Sequence, residues 1–230
     1  MWEQNAIDFK SQWYIMCFSI KWLGGSHITK SLSDYRGYKR WSDNDKSLVK
    51  ELWGLLDKAE IIISQNGDSF DLKKINTRFV YYGLPPPSPY RSIDTKKIAK
   101  KYFAFNSNSL DNLGEYLGLG RKIKHEGFEL WKRCMAGDLK AWKKMKAYNR
   151  QDVILLEKIY FHLRPWHKSH PNLGIYSNQL ICPKCESTKL RFRGYAMNST
   201  TKYRRINCKN CGGWSRTTFN LQEDKLLVSI

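Results

Sequence analysis

The chain has 230 residues, 41% of them hydrophobic and 14% aromatic, which supplies one full core and a small second module and excludes general disorder. Forty Lys and Arg against 21 Asp and Glu leave a net charge of +19, and such a field attracts a polyanion, either nucleic acid or an anionic membrane surface. No apolar run reaches about 18 residues and no segment has the clean apolar face of a membrane-surface helix; Glu3 and Asp8 stand where a signal peptide would be basic and then apolar, so a cytoplasmic protein is expected.

Residues 12–22, QWYIMCFSIKW, form an aromatic and β-branched run of strand length. Gly24 and Gly25 turn the chain into a second, more exposed strand. Asp43 is placed to cap a helix whose apolar positions are Leu48, Leu52, Leu55 and Leu56. A strand over about 59–64 follows, then a helix over about 69–82 with Phe70, Ile75, Phe79 and Val80 facing inward. Prolines 85–87 and 89 end that helix. A short strand at 91–93 leads into the helical pattern DTKKIAKKYF. Leu110, Leu113, Tyr116 and Leu117 mark a further helix, stopped by Gly118 and Gly120. Residues 138–163 carry the longest helical pattern, and strands alternating with helices predict an α/β layer structure for residues 1–163. A proline-rich, polar linker covers 164–180. Residues 181–230 have too few aliphatic residues to hold a fold by a hydrophobic core.

Four cysteines answer for that module. Cys182 and Cys185 in CPKC, and Cys208 and Cys211 in CKNC, are separated by 22 residues. Two residues between thiolates aim both sulfurs at one ion, so the four predict a closed, structural zinc site with no position left for a reacting water. Between the knuckles, KLRFRGY and KYRRINC alternate basic and apolar residues like two strands of a ribbon. Arg191, Arg193, Lys202, Arg204 and Arg205 are candidates for phosphate contact, or else a solvated face; Phe192, Tyr195, Tyr203 and Trp214 either stack on bases or fill a thin core. Cys17 and Cys134, in apolar surroundings, are expected to be buried.

Two further stretches carry carboxylates. In SQNGDSFD, Asn66, Asp68 and Asp71 follow the strand at 59–64, at the carboxyl end where α/β folds bind ligands. In YNRQD, Tyr148 and Asp152 lie four apart on one helix face. Hard oxygen donors of this kind favour Mg²⁺ or Mn²⁺ over zinc, and paired ions held by several carboxylates hydrolyse phosphodiesters. The plainer alternative makes Asp71 a helix N-terminal residue favoured by the dipole, Asp152 a solvated ion-pair partner and Tyr148 a packed aromatic.

Taken together, NGDSFD and, about eighty residues later, YNRQD resemble the second and third motifs of the DEDD-type 3′–5′ exonucleases of the ribonuclease H-like superfamily. WYIMCFSIKWLGG, SIDTKKIAKKYF and SLDNLGEYLGLGRKIKHEG extend the resemblance over residues 1–163, and it is strongest to phage and bacterial exonuclease domains of DNA polymerases. The resemblance implies a ribonuclease H-like mixed sheet flanked by helices, plus a small C-terminal zinc ribbon. It implies Asp71 and Asp152 as Mg²⁺ or Mn²⁺ ligands, Tyr148 as the residue that orients the attacking water in the tyrosine subtype, and Asn66, Asp68 and Asp94 as residues that shape the site. It also implies a substrate, DNA with a single-stranded 3′ end, with RNA open. The family's first motif, an Asp-x-Glu on the opening strand, has no counterpart, since Glu3 and Asp8 have the wrong spacing. The expectation is therefore an exonuclease completed by that strand from elsewhere, such as a second polypeptide, or a non-catalytic nucleic-acid-binding or assembly factor that keeps the fold. Arg121, Lys122, Lys124, Lys132, Lys140, Lys143, Lys144 and Lys146, with few acids nearby, predict an electropositive rim that holds the strand's phosphates.

Overall fold

The computed structural model describes residues 12–38 and 43–221; Glu3 and Asp8 lie outside them. The chain divides into two compact units, Met1–Asp94 with Ser109–Glu157, and Thr95–Asn108 with Lys158–Ile230.

In the first unit, β1 (Cys17–Lys21) pairs antiparallel with β2 (His27–Ser31), Cys17 lying opposite Ser31. Residues 12–16 of the expected strand stay outside the ladder. Gly24, at φ +75, and a bond from Gly25 N to the Trp22 carbonyl close the turn. Next, α1 (Lys46–Asp57) buries Leu48, Val49, Leu52 and Leu56 along one stripe. Two parallel strands follow, β3 (Ile61–Ser64) and β4 (Arg91–Asp94), with Ile63 opposite Ile93 and α2 (Asp71–Tyr81) between them in sequence. Gly83, at φ +67, leaves α2 before the prolines. Three helices complete the unit: α4 (Leu110–Tyr116), α5 (Phe128–Met135) and most of α6 (Leu139–Leu163). Ser109 caps α4 through Asn112 N at 3.2 Å, and the Asp138 carboxylate caps α6 through Lys140 N and Ala141 N. Phe18, Leu48, Leu52, Phe79, Leu130 and Trp142 meet in one core. Tyr38 is locked into it, donating to the Cys134 carbonyl at 2.8 Å and accepting from Trp142 Nε1 at 2.9 Å.

Three local expectations are corrected. Asp45, not Asp43, precedes α1, and its carboxylate is drawn away from capping by a buried guanidinium: Arg78 Nε donates to it at 2.9 Å, Tyr82 Oη at 2.6 Å and Ile15 N at 2.7 Å. Phe70 and Val80 are exposed, at 51% and 78%, while Arg78 is buried at 5%. The helix turns residues 75, 78, 79 and 82 inward because Arg78 and Tyr82 must reach Asp45. Finally, α5 was absent from the sequence pattern; it has only eight residues and follows Gly127 at φ +60.

Among the described residues, β1 and β3 each have a strand neighbour on one side only, and Ile61, Ile62 and Ile63 remain partly exposed. Such edges are open to pairing with a further strand.

The second unit combines α3 (Thr95–Tyr102), the end of α6, 3₁₀ turns at Arg164–Trp166 and Leu173–Tyr176, and a three-stranded antiparallel sheet. Its strands are β5 (Leu190–Met197), β6 (Lys202–Cys208) and β7 (Trp214–Arg216). Leu173 N donates to the Pro183 carbonyl at 2.8 Å, tying the proline-rich segment to the first cysteine knuckle. No helix among the described residues is long and apolar enough to cross a membrane. The α/β sheet flanked by helices and the small cysteine-rich element agree with the fold expected from the sequence.

Candidate carboxylate site and zinc centre

Asp152 sits in the middle of α6, one turn after Tyr148. Its Oδ2 lies 2.8 Å from Lys122 Nζ, which also donates to the Tyr148 hydroxyl at 2.9 Å. The other carboxylate oxygen, Oδ1, is buried without a hydrogen-bond partner. Burial raises the Asp152 pKa, and Lys122 and Tyr148 offset only part of that rise. For Lys122 burial acts against the charge, but its bonds to Asp152 and Tyr148 outweigh it and raise its pKa. The two shifts pull against each other, and the orphaned Oδ1 supports the elevation at Asp152. The His125 ring meets Tyr148 edge to face at 4.5 Å and fixes the phenol's tilt.

Lys122 is held in place by α4. Its backbone N–H donates to Asp111 at 2.8 Å, and Arg121 bridges Asp111 and Glu115, each at 2.7 Å. The loop can lie so close because residue 114 is glycine: a Cβ there would come within 2.5 Å of the Gly120 carbonyl and 2.9 Å of Leu155. No pattern in the sequence foretold the Lys122–Asp152 pair, since the partners are 30 residues apart with no fixed spacing.

Asp71 opens α2. Its side chain reaches solvent, yet enough protein crowds the carboxyl to raise its pKa; Lys74 lowers it and Asp94 adds a like charge. Asp94 ends β4, nearly buried, and accepts from Asn66 N at 2.8 Å; Asn66 is in the left-handed region at φ +62. Asp68 accepts the Ser92 hydroxyl.

In the second unit, Cys182, Cys185, Cys208 and Cys211 bring their sulfurs within 4.8 Å of one another. Cys182 Sγ lies 3.7 Å from Cys211 Sγ, and Cys185 Sγ 3.6 Å from Cys208 Sγ. A tetrahedron with Zn–S bonds of about 2.3 Å has edges of about 3.8 Å, whereas a disulfide needs about 2.05 Å. The donor set therefore fits structural zinc. Both knuckles are built alike: Glu186 N bonds to the Cys182 carbonyl and Gly212 N to the Cys208 carbonyl, each at 2.9 Å, and Glu186 and Gly212 both adopt positive φ, +61 and +77. Gly213 N and Asn210 Nδ2 point at Cys211 Sγ and Cys185 Sγ, donors that stabilise thiolate charge. Among the described residues this is the one cluster of three or more metal-ligating side chains.

Five of the eight cations expected to form an electropositive rim are ion-paired within the unit, and among the described residues Lys124, Lys140 and Lys143 are not. Arg121 is neutralised by Asp111 and Glu115, Lys122 by Asp152, Lys132 by Glu129, Lys144 by Glu126 and Lys146 by Asp34. Some of these acids are sequence neighbours, as Glu129 is of Lys132, while Asp34 and Asp152 come from distant segments. The ribbon differs: Arg191 is exposed, Arg204 lies over Phe192, and Arg205 lies over Trp214 and donates to the Arg193 carbonyl at 3.0 Å.

A mixed α/β unit with carboxylates at strand and helix ends is the architecture of the ribonuclease H-like class. The family profile described as the RNase H superfamily matches residues 13–164, and the chain belongs to that superfamily. A search of the curated proteins finds no match.

Proposed function

We propose that this chain is a metal-dependent 3′–5′ exonuclease that acts on DNA with a single-stranded 3′ end. The observation that carries the reading is the buried, unpartnered Oδ1 of Asp152 beside the Tyr148 hydroxyl. A buried carboxylate oxygen with no donor is costly unless a cation or a proton completes it. Mg²⁺ or Mn²⁺ fits such an oxygen and would supply electrostatic stabilisation to a phosphodiester under attack. Asp152 and Asp71 are the residues proposed to hold it, and Tyr148 to orient the attacking water. Two carboxylates are too few for a paired-ion site, so the proposal includes further acidic groups from outside the described residues or from a second polypeptide. The open edges of β1 and β3 are where an added strand would pair.

The ion pair between Lys122 and Asp152 favours a second reading, a nucleic-acid-binding protein in which an ammonium has taken the place of the metal. One assay separates the two: release of nucleotides from a 3′-labelled single strand in Mn²⁺, for the natural chain, Asp152→Asn and Asp71→Asn. The exonuclease reading expects cleavage that either substitution abolishes. Cleavage unaffected by both substitutions, or none on any strand with an acidic first-motif strand supplied, overturns it.

A further inference from the structure

We propose that the outer half of the β5–β6 hairpin is a binding site for single-stranded nucleic acid, with Phe192 and Tyr195 as base-stacking platforms and Lys202 and Arg204 as phosphate contacts. The inference rests on the nucleic-acid reading above for its polymer, but on a different unit for its chemistry.

Register makes the platform. Phe192 lies opposite Ile206 and Tyr195 opposite Arg204, so two residues on β5, Arg193 and Gly194, face one on β6, Arg205. Without this bulge, residues separated by three would point to opposite faces of the sheet. Gly194 makes the bulge possible at φ +70, and Arg205 Nε clamps it through the Arg193 carbonyl at 3.0 Å. One extra residue thus puts both rings on the face that also carries Lys202, Arg204 and Ile206. At its inner end this face is closed by Ile206 and Cys208, 3% and 1% exposed; at its outer end Phe192 and Tyr195 are half exposed, at 50% and 52%. Aromatic rings needed for a core would not be left in this state.

Each ring has its own cation. Lys202 Nζ lies 4.2 Å from the Tyr195 centroid and Arg204 Cζ 5.5 Å from that of Phe192. A base stacked on either ring would bring its phosphate within reach of a fixed positive charge. From Ile181 to Leu221 nine Lys and Arg stand against one acid, Glu186, and among the described residues none of the nine forms an ion pair. This is the opposite of the internally paired cations of the first unit.

Spacing selects the polymer. The two rings stand over β6 positions two residues apart, about 6.7 Å along the strand, whereas stacked bases in a duplex rise about 3.4 Å. Adjacent bases reach both rings only when unstacked, which a single strand allows and a duplex does not. An anionic membrane or an acidic protein would use the charge but has no need of two flat rings at this interval.

The test measures binding of the zinc-loaded full chain to a labelled oligothymidylate of about 16 nucleotides, by fluorescence anisotropy without Mg²⁺ or Mn²⁺, so that binding is separated from cleavage. Phe192→Ala and Tyr195→Ala should each weaken binding about 10-fold, with zinc stoichiometry unchanged. Phe192→Leu/Tyr195→Leu keeps apolar bulk without a stacking face and should show the same loss. Lys202→Gln/Arg204→Gln should lower the slope of log K against log salt by about 1.4. Wild-type affinity in the leucine variant, equal affinity for a duplex, or binding to phosphatidylserine vesicles but not to the oligonucleotide overturns the proposal. Cleavage assayed separately in Mn²⁺, with an acidic first-motif strand supplied, tells the two proposals apart: cleavage with a ring-independent grip sinks only this site, and a ring-dependent grip without cleavage sinks only the exonuclease.

Discussion

Replacing Lys122 with Met removes the ammonium that holds Asp152 and Tyr148 while keeping most of its apolar stem. At 2.8 Å, with an effective dielectric near 20, the attraction is about 6 kcal/mol. Most of that offsets desolvation, and the side chains of Lys122 and Asp152 are 32% and 22% exposed, so the net loss should be about 1–3 kcal/mol. For a chain of this size the melting temperature should fall by about 2–12 °C. The Asp152 pKa, already raised by burial, should rise further because the lowering effect of Lys122 is gone. A divalent ion no longer has to displace the ammonium, so Mn²⁺ affinity should increase about 5- to 150-fold. At 100 times its dissociation constant, bound Mn²⁺ should return about 2.7 kcal/mol of stability. Calorimetric titration and melting curves with and without Mn²⁺ read both quantities. If the natural chain and Lys122→Met bind Mn²⁺ equally, or neither binds it, the ammonium is not standing where a metal belongs.

Arg78→Ala should cost about 3–5 kcal/mol, because it leaves the fully buried Asp45 charge unpaired; a urea denaturation midpoint close to that of the natural chain would contradict this. His170 shares its Nε2 with the Tyr160 hydroxyl at 2.8 Å and its Nδ1 with the Pro171 carbonyl at 2.6 Å, and burial lowers its pKa to about 4. Between about pH 6.5 and pH 4 the unfolded chain binds the extra proton, so stability should fall on acidification through that window, by about 1 kcal/mol because solvent screens the partly exposed ring. His170→Gln should flatten that part of the stability curve. Removing zinc with a chelator should release one ion per chain and abolish the β5–β7 amide protection seen in hydrogen exchange; protection that survives would show the ribbon to be held by other means.

What could be read from the sequence was whatever depends on short, fixed spacing. The cysteine pairs declare a metal centre because two intervening residues aim both sulfurs at one point. The helices with continuous apolar stripes, α1 and α6, show their period of 3.6 without help. Asp45 with Arg78, Lys122 with Asp152 and the acids that neutralise Lys144 and Lys146 depend on which turns bring distant segments together, and spacing carries no record of that. The inward face of α2 was misjudged for the same reason: Val80 is apolar and Arg78 charged, but the buried carboxylate across from them reverses the usual preference. The bulge in β5 is a subtler case, since Gly194 is visible in the sequence but its effect on Tyr195 appears only once β6 fixes the register.

The twin knuckles make the ribbon's outer surface conditional on the chemical state of four sulfur atoms. Oxidising a neighbouring pair to a disulfide would shorten a sulfur–sulfur separation of 3.6 Å to about 2.05 Å, expel the ion and dissolve the strand register on which the aromatic pair depends. A cell under oxidative stress or starved of zinc would then hold the same amount of this polypeptide with its cationic hairpin dismantled.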